Sequence, residues 1–185
     1  KLKIIFDKNY HLFQKKNLSM AIIASRFSGL SDKKIYKSLK KINDVSGRLE
    51  LVRDFPNNIK VFIDYAHTPD ALLKVLQSLN NIYEKNISLV FGCGGERDHK
   101  KRPLMAKIAN KYCKKIYVTD DNPRNENPKK IRREIIKNIN LKECFDIGNR
   151  TQAIKKAIIN AEPNEVILVA CLLYTSDAAD EEDSV

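Results

Sequence analysis

The feature that most limits what this chain can fold into is a regular alternation of short apolar runs with helical periodicity from residue 61 onward. Val61-Phe62-Ile63, Ile87–Phe91, Ile116–Val118 and the V-I-L-V-A that closes Glu165–Ala170 have strand length and are almost entirely apolar. Such runs suit strands buried on both faces of a sheet. Cys144–Ile147 adds a shorter candidate. Between them, Pro69 opens a helix with Leu72, Leu73, Leu76 and Leu79 on one face. Further helices are expected near Pro103–Tyr112, over Pro128–Ile139 behind an initiating proline, and across Thr151–Ala161. Strands alternating with helices imply right-handed crossovers, hence an α/β, Rossmann-like, mostly parallel sheet covered by helices on both faces. Ligands of such folds sit beyond the carboxyl ends of the strands.

The first part of the chain reads differently. Residues 17–27 form an apolar helical run, and Ser31-Asp32 offers an N-cap for a second helix through Ile42 with Ile35, Leu39 and Ile42 on one face. The pattern breaks around Asn43–Gly47, where a domain boundary is expected. At 185 residues and 43% hydrophobic the chain can bury a sizeable core. No stretch approaches the roughly 18 apolar residues of a membrane span, and the N-terminus has no signal-peptide pattern, so no membrane insertion is expected. Cys93, Cys113, Cys144 and Cys171 are widely spaced, which disfavours disulfide or zinc frameworks and points to a reducing, cytoplasmic setting. The net charge of +11 is uneven: residues 171–185 hold five acids and no Lys or Arg, and residues 1–170 carry a net +16. Such an excess raises a nucleic-acid-binding module as a rival reading. The lysines, however, are scattered through helical segments without interleaved stacking aromatics, as on a solvated surface, so no nucleic acid is expected.

Three polar turns follow strands and fall on the same expected edge of the sheet: D-Y-A-H-T-P-D (64–70), G-C-G-G-E-R-D-H-K-K-R-P (92–103) and T-D-D-N-P-R (119–124). Asp64 and His67 suit either the start of a helix or a nucleotide, the acid accepting from a sugar hydroxyl. Gly92, Gly94 and Gly95 let the second turn bend sharply, and Arg97 projects from it. The third turn has too few carboxylates or histidines at fixed spacing for a metal, so no metal residue is assigned. Its Asp, Asn and Pro fit a bare turn. An arginine fork beside an acid and an amide equally suits an amino acid, the guanidinium taking the carboxylate and the acid the ammonium. No G-x-x-x-x-G-K-[ST] phosphate loop occurs in the chain.

Taken together, V-F-I-D-Y-A-H-T-P-D-A-L, F-G-C-G-G-E-R-D-x-x-K-R-P-L-M and V-T-D-D-N-P-R-x-E-x-P, in this order, resemble the Mur ligases, and within them the branch that adds meso-diaminopimelate. The resemblance runs over roughly residues 11–170. It implies three segments: 1–47 from the end of a central ATP-binding domain, 48–170 from the family's C-terminal domain, and a foreign piece at 171–185. S-G-R-L-E (46–50) matches the junction between the two domains. The resemblance further implies that Arg97, Asp121, Asn122, Pro123 and Arg124 bind diaminopimelate, whose distal centre carries a carboxylate that lysine lacks. Arg48 would approach the ATP phosphates, Asp64 and His67 would lie on the nucleotide side, and Gln14 stands where the family usually has an adenine-contacting Asn.

The implied reaction is an ATP- and Mg²⁺-dependent amide ligation on UDP-N-acetylmuramoyl-L-alanyl-D-glutamate by a monomeric enzyme. An acyl phosphate forms on the D-glutamyl γ-carboxylate, the diaminopimelate amine attacks it, and phosphate leaves. The family's phosphate loop, UDP-sugar domain and carbamylated lysine belong upstream of Lys1, so the chain as it stands is expected to be inactive, with no certain catalytic residue of its own. Downstream, V-I-L-V-A should run into G-K-G-H-E. The chain instead reads C-L-L-Y-T-S-D-A-A-D-E-E-D-S-V, which resembles a transposase sequencing adapter read in frame. Within the enzyme class the rivals are a ligase adding lysine and a folyl-polyglutamate-type ligase; the arginine of D-N-P-R argues against both.

Overall fold

The structure is a computed structural model that describes residues 12–42, 45–84 and 86–171. The reading of 171–185 as foreign therefore lies outside the described residues except at Cys171, and the expected break at 43–47 does so at residues 43 and 44. Two compact units divide between residues 44 and 45. The first contains α1 (Leu12–Phe27) and α2 (Asp32–Leu39), a helical pair in which Arg26 forks onto Asp32 at 2.6–2.7 Å. Among its described residues Ile22 and Ile35 are buried, while Met20, Ile23 and Phe27 stay exposed.

The second unit is a six-stranded sheet: β1 (Glu50–Phe55), β2 (Ile59–Asp64), β3 (Ile87–Phe91), β4 (Lys115–Val118), β5 (Cys144–Asp146) and β6 (Val166–Ala170). Its order is β1-β2-β6-β3-β4-β5, with β1 antiparallel to β2 and the remaining neighbours parallel. The helices are α3 (Pro69–Tyr83), α4 (Lys101–Tyr112), α5 (Pro128–Ile136) and α6 (Arg150–Ile159). The steps β3→β4→β5 run outward to one edge, and α6 returns the chain to place β6 between β2 and β3. Because a right-handed crossover ties direction to face, α6 covers the face opposite α3–α5. On that face Ala153 and Ala157 pack with Val61, Val90, Tyr117, Ile167 and Val169. The α/β, mostly parallel architecture expected from the strand–helix alternation is what the structure has.

Local chemistry explains the helix starts. Thr68 caps α3 by accepting from Ala71 N–H, Asn127 caps α5 through Lys129 N–H, and Asn149 caps α6 through Gln152 N–H. In α3 the buried set is Leu72, Val75, Leu76 and Leu79; Leu73, expected on that face, is only half-buried.

The strand not foreseen is β1. Four of its six residues are exposed, and a register shift between Leu51 and Arg53 breaks the alternation. It pairs through a reversal at Pro56–Asn58, where Asn57 and Asn58 take φ of 63° and 58°. Asparagine tolerates this left-handed region better than other non-glycine residues.

One buried polar group sits at the amino-terminal edge of the sheet. Lys115 Nζ donates to Glu165 Oε2 at 3.0 Å and to Asn160 O at 2.8 Å. Glu165 also accepts from Ser88 Oγ at 2.5 Å and from Glu162 N–H at 2.9 Å. At the other edge β6 is followed by Cys171, which is buried with φ 77°. That is backbone in which glycine avoids the Cβ clash.

Candidate functional site

The parallel register aligns the carboxyl ends of β2, β6, β3 and β4: Asp64 lies opposite Ala170, and Phe91 opposite Val118. All three polar turns therefore leave one edge of the sheet, on either side of the switch point at β6.

At the end of β2, Asp64 is buried, and both of its oxygens hold backbone donors: Leu49 N–H at 2.7 Å and Ala66 N–H at 2.8 Å. Burial raises its carboxyl above the ordinary range, and these two hydrogen bonds oppose the rise. The S-G-R-L-E segment is stapled to this strand. Gly47 and Leu49 take φ of 68° and 50°, Gly47 O accepts from Tyr65 N–H at 2.9 Å, and Glu50 accepts from Ser46 Oγ and Gly47 N–H. The exposed Arg48 guanidinium stacks over the Tyr65 ring at 4.9 Å. Tyr65 in turn meets the His67 ring edge-on at 4.8 Å. Arg48, Asp64 and His67, separated by up to nineteen positions in sequence, are thus brought together at one strand end. Gln14 lies in α1, in the other unit.

The second and third turns form one interlocked body. Gly95 N–H donates to Asn122 O at 2.8 Å, and Arg124 Nη1 donates to Gly95 O at 2.8 Å. The approach is so close that a Cβ on Gly95 would fall 1.9 Å from Pro123 O, and one on Gly92 2.4 Å from Thr119 O. Within the third turn Asn122 Oδ1 accepts from Arg124 N–H at 3.3 Å, and Arg124 takes φ 48°. A non-glycine residue held there is backbone strain of the sort that clusters at ligand sites. Asp121, Asn122, Pro123 and Arg124 are half-buried, and Arg97 stands exposed on the facing turn. Asp120 is drawn aside by Arg132, which it shares with Asp146.

Sequence reasoning missed three residues here. Tyr65 carries Arg48, and the pair Arg102 and Glu126 joins the two turns from below. Arg102 is fully buried and forks onto Glu126 at 2.8 and 3.1 Å, and its Nη1 also donates to Glu134 at 2.7 Å. The signal was present as K-R-P and N-E-N-P, yet a basic residue in a lysine-rich helix start carries no mark of burial.

Glu126 is held down to about 2, mainly by its hydrogen bonds to Arg102, with Glu96 N–H and the charges of Arg102 and His99 adding to the effect. A carboxyl depressed in the folded state binds fewer protons there than in the unfolded chain. Its stabilisation is therefore complete above the ordinary 4.5 and is lost as pH falls toward about 2. In acid titrations followed by urea unfolding, Glu126→Gln is expected to flatten the fall in stability over that window; an unchanged slope would refute the assignment.

Among the described residues no group of three or more His, Cys, Asp or Glu is arranged to hold a metal ion. No helix among the described residues is long and apolar enough to cross a membrane.

Comparison with known proteins gives the same direction as the motifs. The family model described as Mur ligase, glutamate ligase domain, matches residues 47–171. The UDP-N-acetylmuramoyl-L-alanyl-D-glutamate–2,6-diaminopimelate ligase of Rickettsia montanensis is 44% identical over 160 residues, covering 85% of this chain and 33% of the relative. That of Clostridium acetobutylicum is 38% identical over 170 residues, covering 91% and 35%. This chain thus spans about a third of the length of these curated relatives. A solved structure of a ligase of the same name superposes with TM-score 0.63 at 33% identity, over 86% of this chain and 33% of that one. The folylpolyglutamate synthase of Mycobacterium tuberculosis reaches TM-score 0.70 at 19% identity, over 95% and 41%, a likeness of fold alone. The chain belongs to the Mur ligase family, matching it over the glutamate ligase domain.

Proposed function

We propose that this chain is part of an ATP-dependent amide ligase that adds meso-diaminopimelate to UDP-N-acetylmuramoyl-L-alanyl-D-glutamate, an activity of the cytoplasm. The observation that carries the reading is the interlocked pair of turns presenting Arg97 and Asp121–Arg124 at the carboxyl edge of the sheet. A guanidinium has five donors, so Arg124 can hold Gly95 O and a substrate carboxylate together. Asp121 and Asn122 suit the ammonium of the same amino-acid centre. With lysine the arginines would meet no carboxylate, and charge-assisted hydrogen bonds worth about 1.5–3 kcal/mol would not form.

Arg48, set by the Tyr65 ring, is the cation for the nucleotide phosphates, and His67 lies beside it. Asp64 primarily fixes this turn; a carboxylate has lone pairs beyond the two in use, so it can also accept from a ribose hydroxyl. Gln14 is the adenine contact carried over from the resemblance. ATP supplies the activation of the γ-carboxylate as an acyl phosphate, with Mg²⁺ as its counter-ion. The contribution of the residues described here is to orient the amine and stabilise charge.

Phosphate release by the full-length protein tests this. Release from ATP is expected to require both the UDP-dipeptide and diaminopimelate. Release that ignores the amino acid would contradict the proposal.

A further inference from the structure

The two turns proposed to grip the amino acid have a common fastening beneath them. Glu126 Oε1 accepts from Glu96 N–H at 2.5 Å, next to Arg97, although Glu126 itself belongs to the turn that carries Arg124. Arg102, at the start of α4, holds that carboxylate with both ends of its fork. The same guanidinium donates to Gly94 O at 3.3 Å and to Glu134 Oε2 of α5 at 2.7 Å. His99 completes the surround, its Nδ1 3.0 Å from Arg102 Nη1 and its Nε2 3.4 Å from Glu126 Oε1. One buried cation thus ties the second turn, the third turn and two helices to a single point. A planar fork fixes direction as well as distance, which a lysine ammonium does not.

We infer that Arg102 and Glu126 are positioning residues that set the separation of the Arg97 and Arg124 turns and thereby the enzyme's selectivity for its amino acid. The inference rests on the amino-acid-pocket reading of those turns. Neither residue is placed to touch substrate; each acts through the backbone at Gly94, Glu96 and the D-N-P-R turn. Glu126→Gln keeps the shape and one acceptor but loses the ionic grip. Arg102→Lys keeps the charge but loses the fork.

The experiment is steady-state kinetics on the full-length protein, with whichever amino acid the wild type accepts, alongside thermal melts. For both variants the KM for the amino acid is expected to rise about tenfold or more, while the KM for ATP stays within about twofold. Glu165→Gln, at the opposite edge of the sheet, is the structural control: it should lower the melting temperature without that split. An unchanged amino-acid KM, or a parallel rise in both KM values, overturns the inference. Should Glu126→Gln fail to fold, Glu126→Asp keeps the charge for Arg102, shortens the reach to Glu96 N–H, and must give the same split. Should the wild type prefer an amino acid other than diaminopimelate, the substrate reading fails, while the KM split still decides the role of the pair.

Discussion

Lys115→Met is expected to cost about 3–5 kcal/mol of folding free energy, the range for removing one partner of a buried ion pair. The Lys115 side chain is 3% exposed and that of Glu165 is 0% exposed. With the ammonium gone, Glu165 keeps its bonds from Ser88 Oγ and Glu162 N–H but has no charge opposite it. It must then stay charged at a penalty or take up a proton. Asn160 O also loses its donor. The double variant Lys115→Met with Glu165→Leu should recover a large part of the loss, because an apolar pair of similar volume avoids desolvating charge. Urea unfolding of the three proteins checks this; a single variant within about 1 kcal/mol of wild type would show that the buried pair is not needed for stability.

Gly95→Ala is expected to act where the substrate is proposed to bind. The new methyl would lie 1.9 Å from Pro123 O and 2.7 Å from Pro123 C, both backbone atoms that no rotamer change can move. The turns must separate, which by the usual cost of overpacking removes about 1–3 kcal/mol of stability. The Gly95 N–H to Asn122 O bond and the Arg124 grip on Gly95 O would lengthen together. In the full-length protein the amino-acid KM should rise by about a hundredfold, since small misplacements of positioning groups have effects of that size. A wild-type KM in a folded variant would contradict the close approach.

Much of the fold was legible because the parallel strands carry nearly continuous apolar runs. Ile87–Phe91 has the observed bounds, and each other expected strand or helix of the sheet domain overlaps its element, since apolar runs bounded by proline, glycine and asparagine leave few alternatives. β1 was not legible: Arg53 and Asp54 interrupt the pattern, and the strand is held by its pairing to β2 rather than by burial. The turn residues could be found from their chemistry, but their supports could not. Arg102 resembles any other cation of a lysine-rich helix start until Glu126 and Glu134 arrive from 24 and 32 residues away. Asp64 likewise gives no hint in sequence that Leu49 and Ala66 N–H engage both of its oxygens. Short-range pattern carries secondary structure; long-range pairing of buried charge does not show in it.

The arginine-bearing turns are proposed to form a pocket for a doubly zwitterionic amino acid. Calorimetric titration of the full-length protein, loaded with nucleotide and UDP-dipeptide, against meso-diaminopimelate and against lysine tests it most directly. If the charge-assisted hydrogen bonds that lysine cannot make are worth about 1.5–3 kcal/mol, lysine should bind about tenfold to a hundredfold more weakly. Equal affinity for the two amino acids would contradict the account.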